Sequence, residues 1–327
     1  MLFDMPLERL REYRPRPEEP ADFDAFWEKT LSETARHGLD ATFEPYDAGF
    51  ATVDVFDVTF RGWGGQPVKA WLMLPRVRSG PLSAVMQYIG YNGGRGIPYS
   101  WLTWSALGYA HLVMDNRGQG GGKNTSDTPD FGPDGHGSSS PGFLTRGIED
   151  PARHYYRRLI TDAVRAVDAV KAHEAVDSSR VAVLGGSQGG GLALAVAGLR
   201  EDMAATVADV PFLCHFRRGS QITDAGPYAE IARWLSGHRF RVEEAMNTLS
   251  YFDGVNFAAR ATAPAWFSVG LMDRIRPSST VYAAYHAYAG PAEIEVFPYD
   301  GHEGGAEYDL PRKLAALRGV FGEPCAP

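Results

Sequence analysis

The chain has 327 residues, 44% hydrophobic and 22% charged, which is enough for one large domain with a substantial core and excludes a disordered or collagen-like chain. Its net charge of −8, with no block of consecutive Lys or Arg, lacks the basic footprint of a nucleic-acid binder. Cys214 and Cys325 are too few for a disulfide framework or a thiolate metal site, so two free thiols are expected, with one bridge between them as the alternative.

In chain order, residues 1–45 read as an extended arm punctuated by Pro15, Pro17 and Pro20 that runs into a helix. Asp22 caps that helix, Phe23, Phe26, Trp27 and Leu31 form its apolar stripe, and Gly38 stops it. The opening segment has charges from position 4 and no apolar core of a signal peptide, and no run of 18 apolar residues occurs. The expectation is a cytoplasmic protein that does not enter a membrane. A hairpin follows, with Val53, Val55, Val58 and Phe60 outbound, Gly64-Gly65 at the turn and Val68–Leu74 returning.

From Leu82 the pattern changes to short apolar strands separated by helices. Strands are expected at Leu82–Ile89, His111–Asp115, Val181–Leu184, Ala205–Val210, Pro264–Val269 and Ile294–Phe297. Helices are expected around Trp101–Leu107, 151–175, Gly189–Leu199, Ser278–Ala289 and Pro311–Phe321. This alternation predicts an α/β fold, a mostly parallel sheet with helices on both faces. Residues 116–150 read as a long loop and 211–260 as a cap insertion rich in aromatics, within one α/β domain spanning 1–327.

Gly185-Gly186-Ser187-Gln188-Gly189 fits G-x-S-x-G, with a strand before it and a glycine-rich helix start after it. That context is a nucleophile elbow, and the helix N-terminus favours the anion that develops on attack. The chain order serine, acid, histidine then selects His302, in the loop after the last strand, as the base. His286 falls within a helix, and His215 and His238 lie in the insertion. Asp273, just past a strand, is favoured as the acid that orients the imidazole; Asp209, also at a strand end, is its rival. The oxyanion hole needs two backbone N–H groups, which we expect from Gln188 and from Tyr91 in the loop Ile89–Gly94. Tyr91, Ile275 and Pro227 are rigid or β-branched and are expected to wall a small acyl pocket. His302-Glu303 would need a histidine at Ala306 to bind zinc, and Gly122-Lys123-Asn124 lacks the other elements of a phosphate-binding loop. No cofactor and no metal are implied.

These motifs, with Arg117-Gly118-Gln119 upstream and His302-Glu303 at the end, resemble carbohydrate esterase family 7, the acetyl xylan esterases and cephalosporin-C deacetylases. The stretch Phe131 to Arg146, Tyr155-Tyr156-Arg157-Arg158 and Asp209-Val210-Pro211-Phe212 support the resemblance, which runs from about residue 5 to 320. It implies an α/β-hydrolase fold and a homohexamer built with the arm and insertion. It also implies deacetylation of short acetylated xylo-oligosaccharides, cephalosporin C and small acetate esters. On the family pattern Ser187, Asp273 and His302 are the triad, and Tyr91 and Gln188 the oxyanion donors. One departure stands out: many members carry Cys-Pro-Pro-Ser-Thr after the acid, where this chain has Arg276-Pro277-Ser278-Ser279-Thr280. The arginine is expected near the mouth of the site. Arg117 and Gln119 either touch substrate or, as the favoured reading, brace the loops through a buried ion pair. The aromatics of the arm and insertion are expected to supply subunit contacts.

Overall fold

The computed structural model describes all residues except 1, 3, 123, 131–138, 140 and 324–327, so Phe131 and Cys325 lie outside the described residues. Among the described residues nine strands form one sheet in the order β1-β2-β3-β5-β4-β6-β7-β8-β9. They are β1 (Thr42–Tyr46), β2 (Val53–Arg61), β3 (Pro67–Pro75), β4 (Leu82–Tyr88), β5 (Ala110–Met114), β6 (Val176–Gly186), β7 (Ala205–Asp209), β8 (Ala265–Gly270) and β9 (Ala292–Phe297). The run from β5 through β9 is parallel, and β1 to β3 add an antiparallel edge.

The hairpin pairs β2 with β3 over nine residues, from Val53 opposite Pro75 to Arg61 opposite Pro67. Its alternation shifts phase midway. Val53 and Val55 point to one face with Trp71 and Ile89, while Val58 and Phe60 join the larger core on the other. One strand thus helps to seal both sides of the sheet. Helix α4 (Tyr155–Lys171) lays Tyr156, Leu159, Ile160, Ala163 and Val167 on that core at helical spacing. It starts four residues later than the apolar pattern suggests, because residues 145–153 form turns and His154 accepts the Tyr156 amide as its cap. Helix α5 (Gln188–Leu199) is apolar all round and buried on nearly every side, as a helix at the centre of a layered fold must be.

Several elements differ from the sequence reading. The arm contains a short helix α1 (Leu7–Glu12) before α2 (Phe23–Ala35), and β1 follows it. The strand was hidden by Pro45, a residue that sheets tolerate at an edge, where β1 lies. Asp22 stands at the start of α2 but does not cap it; its carboxylate accepts a hydrogen bond from Tyr251 Oη at 2.5 Å. The expected helix at 101–107 shrinks to α3 (Thr103–Ala106). The insertion carries four helices, α6 (Phe216–Ile222), α7 (Tyr228–Gly237), α8 (Val242–Ser250) and α9 (Gly254–Ala258), before α10 (Ser278–Ala287) and α11 (Leu310–Phe321) complete the domain.

The arm and the insertion consume one another's aromatics. Trp27 Nε1 donates to Tyr251 O at 2.9 Å, and the ring centroids of Phe26 and Tyr251 lie 4.7 Å apart. Phe23 stands 5.2 Å from Phe257 and Trp27 5.9 Å from Phe252, with Phe23 and Trp27 fully buried. The surplus apolar surface expected to serve subunit contacts is therefore largely covered within one chain; Phe240 remains fully exposed. Cys214 is a buried free thiol. Among the described residues no helix is long and apolar enough to cross a membrane.

Candidate active site

Strand β6 ends at Gly186, α5 begins at Gln188, and Ser187 makes the corner between them with φ of +59° and ψ of −121°. A non-glycine residue in this region is strained by roughly 1–3 kcal/mol, so the surroundings must hold it. They do so through the backbone: the Ser187 amide donates to Asp209 O at 2.8 Å, and its carbonyl accepts from Phe212 N at 2.9 Å. The flanking glycines are needed for packing. A Cβ on Gly189 would sit 2.1 Å from Tyr88 O, and one on Gly191 would sit 2.1 Å from Phe212 O.

Asp273 and His302 come together from the loops after β8 and β9. His302 Nδ1 lies 2.8 Å from Asp273 Oδ2. Asp273 is buried, and its Oδ1 accepts the amides of Ile275 at 2.7 Å and Arg276 at 2.9 Å, so the carboxylate is fixed by its own loop. Asp209 is engaged elsewhere: it ion-pairs with Lys313 and accepts from Ser268 Oγ at 3.2 Å. Three other histidines have separate partners. His215 bonds Tyr13 Oη at 2.9 Å, His286 bonds Tyr13 O at 2.7 Å, and His238 stacks on Trp234.

Arg276 does not stand at the mouth of the site. It is buried, its Nη2 donates to Ser187 Oγ at 2.6 Å, and its Nη1 donates to Ile275 O at 2.9 Å. Its guanidinium lies 4.1 Å over the ring of Phe212. Burial pulls its pKa down to about 10, offset in part by Tyr228, Asp273, Tyr156 and Cys214. The sequence shows an arginine near the acid; which way so long a side chain turns is decided by packing.

The backbone amides of Tyr91 and Gln188 donate to no acceptor among the described backbone hydrogen bonds. Their positions are set by a buried network of amide and phenol groups. Gln188 Oε1 accepts from Gln119 Nε2 and from Tyr156 Oη, each at 2.8 Å, and Gln119 Oε1 accepts the Asn92 amide at 2.6 Å. Asn116 Nδ2 donates to Gly93 O at 2.9 Å and more weakly to Ile89 and Gly90. These bonds tie the loop at 89–94 to the elbow. Arg117 is wholly buried and forks onto Asp162, with Nε–Oδ2 at 2.5 Å and Nη2–Oδ1 at 2.8 Å. It is a brace rather than a substrate contact. Tyr155 and Tyr156 carry this network without having been assigned a role in the sequence; their adjacent pair of phenols ahead of an amphipathic helix was the available signal.

A cavity of about 390 Å³ opens onto Ser187 and His302. Its lining includes Trp101, Trp104, Gln87, His111, Asp209, Glu303 and Lys313. Tyr91, Pro227 and Ile275 do not line it. Tyr91 Oη donates to Glu230 Oε1 at 2.6 Å, burial pushes this phenol's pKa far up, and the side chain is thereby pinned to α7. Pro227 starts α7, and the adjacent Gly226, at φ of +61°, leaves space for Ile275: a Cβ there would lie 2.6 Å from Ile275 Cγ2.

A strained serine between a strand and a helix, with a histidine–aspartate pair from the loops after the last two strands, defines an α/β-hydrolase. The chain belongs to the acetyl xylan esterase (AXE1) family, whose model matches residues 1–318. Among solved structures it is similar to the acetyl xylan esterase from Paenibacillus sp. R4, at 37% identity and a TM-score of 0.88, covering 97% of this chain and all of that one. Acetyl xylan esterase 1 from Thermoanaerobacterium sp. JW/SL YS485 follows at 30% identity and a TM-score of 0.87, covering 98% of this chain and all of that one. The curated acetyl esterase Axe7A of Xylanibacter ruminicola is 28% identical over 303 residues, 88% of this chain but 65% of that protein. An acylaminoacyl peptidase from Pyrococcus horikoshii, at 12% identity and a TM-score of 0.58 over 83% of this chain and 41% of its own, shares the fold alone.

Proposed function

We propose that this chain is a serine esterase that removes acetyl groups from acetylated xylo-oligosaccharides, cephalosporin C and small acetate esters. The observation that carries this reading is the contact of His302 with buried Asp273 beside a serine held at a positive φ. Asp273 fixes the imidazole so that Nε2 takes the proton of Ser187 as Oγ bonds the acetyl carbon. The carbonyl electron pair moves to oxygen, where the amides of Tyr91 and Gln188 receive it. Collapse expels the sugar or cephalosporin alcohol with the proton from His302, and water then cleaves the acetyl-enzyme by the same route. The cavity suits the alcohol, since tryptophan faces beside amide, imidazole and carboxylate groups can stack on and hydrogen-bond a pyranose.

The test is a panel of acetylated xylo-oligosaccharides, cephalosporin C and nitrophenyl esters of increasing acyl length, with a peptide ester as control. Acetates should be hydrolysed in preference to butyrates, because extra methylenes forced into a pocket fitted to a methyl group are destabilising; equal rates on the two would show that the acyl side is open. Ser187→Ala should abolish turnover and labelling by a fluorophosphonate. Cleavage of the peptide ester in preference to acetates would favour a peptidase instead. We further propose a homohexamer; a monomer near 36 kDa by light scattering at micromolar concentration would overturn that part.

A further inference from the structure

We propose that Arg276 is a further catalytic residue, whose guanidinium holds the negative charge that passes through Ser187 Oγ as the serine attacks and again as it departs. The proposal rests on Ser187 being the nucleophile. Its ground is a contrast among the buried arginines. Arg95, Arg117 and Arg157 each reach a carboxylate, with Asp57 at 2.8 Å, Asp162 at 2.5 Å and Glu33 at 3.1 Å. Arg276 is as deeply buried and makes no ion pair among the described residues. Its Nε has no hydrogen-bond partner among the described residues. A charge kept out of water normally requires an anion or a dense set of acceptors. Here the guanidinium has one carbonyl, one aromatic face and the hydroxyl of Ser187.

That hydroxyl is the one partner whose charge changes during an acyl transfer. In acylation the Oγ–carbon bond forms while the Oγ proton goes to His302 Nε2 and the carbonyl pair goes to its oxygen. In deacylation a water oxygen bonds the same carbon, the carbon–Oγ bond breaks with its electron pair remaining on Oγ, and His302 returns the proton. Oγ carries partial negative charge on both passages. A hydrogen bond from a cation strengthens as its acceptor becomes anionic, so the contact stabilises the transition states more than the resting hydroxyl. The placement is fixed in advance. The Arg276 amide donates to the Asp273 oxygen opposite the one that faces His302, so one carboxylate sets both the base and the cation around Ser187. Pro277 and the bond to Ile275 O limit the remaining freedom.

The experiment compares Arg276→Met, which keeps the apolar stem, with Arg276→Lys, by steady-state and burst kinetics on nitrophenyl acetate and by thermal unfolding. We expect Arg276→Met to lose roughly 10²-fold in kcat and kcat/KM with KM changed less than about twofold, both burst and steady phases slowing, and Tm unchanged or raised. Added guanidinium ion should restore part of the rate, and Arg276→Lys should fall between parent and Met. Activity of Arg276→Met within about twofold of the parent would overturn the proposal. So would a loss that tracks a fall in Tm, which marks a structural brace, or a loss confined to carboxylate-bearing esters, which marks a substrate anchor. Failure of the nucleophile assignment reads out separately, as turnover surviving in Ser187→Ala.

Discussion

At Asp273 a single buried carboxylate accepts from His302 on one oxygen and from two loop amides on the other. Converting it to asparagine leaves the shape in place but offers an amide N–H or a weaker acceptor to the imidazole. Asp273→Asn should therefore lower kcat by about 10⁴-fold with little change in KM, as expected when the imidazole is held in the wrong tautomer. Asp209→Asn removes one of the two carboxylate partners of Lys313, leaving Asp309, and should cost stability first, with a much smaller loss of rate. Steady-state kinetics and melting curves on the two variants test the difference; reversed losses would transfer the acid's role to Asp209. The corner at Ser187 and the pairing of Asp273 with His302 were legible in the sequence because each follows a strand and the order along the chain is constrained. Arg276 was visible as a departure, but its contact with Oγ was not. The direction of a long side chain depends on what fills the space around it, here Phe212 and the room left by Gly226.

Among the elements, α5 and the parallel strands were readable because continuous apolar runs bounded by glycine have few other solutions. The short pieces α1 and β1 were not, since six or five residues carry too little periodicity to declare themselves. The joining of α2 to the insertion was equally invisible, as no local signal connects Trp27 with Tyr251. The structure makes Trp27 a keystone of that contact, fully buried between Phe252 and Phe257 and hydrogen-bonded at its indole. Trp27→Ala should destabilise the fold by about 3–5 kcal/mol, from lost burial, the cavity left behind and the unpaired carbonyl. Urea unfolding followed through the remaining tryptophans measures it; a loss below about 1 kcal/mol would show that the arm is only loosely attached.

For the molecule as a whole, acid sensitivity follows from three histidines, the buried His111 and His154 and the partly buried His215. Burial pulls the pKa values of His111, His154 and His215 down to about 4, so each is neutral in the folded chain near neutrality. Between about 6.5 and 4 the unfolded chain binds the protons that the folded chain refuses. Their stabilisation is complete above pH 6.5 and is lost as pH falls toward 4, on the order of 3 kcal/mol for each. Asp253 works in the opposite sense, burial having raised it to about 6, and offsets part of the loss. Tm should therefore decline from pH 6.5 to 4, and His111→Gln, which can keep bonds to Trp101 O and Gln87, should flatten the decline. A Tm independent of pH over this window would contradict the buried neutral histidines.

The bond from Trp27 to Tyr251 spans 224 residues of sequence, and its partners do not exist when α2 is made. At translation rates of about 5–20 residues per second, roughly 10–45 seconds separate the emergence of the arm from that of its docking surface. During that interval Phe23, Phe26 and Trp27 leave the ribosome as an uncovered apolar stripe. The nascent chain must then be sheltered by a chaperone or kept dilute. Truncated chains ending before the insertion should collect in aggregates while the full-length protein stays in solution.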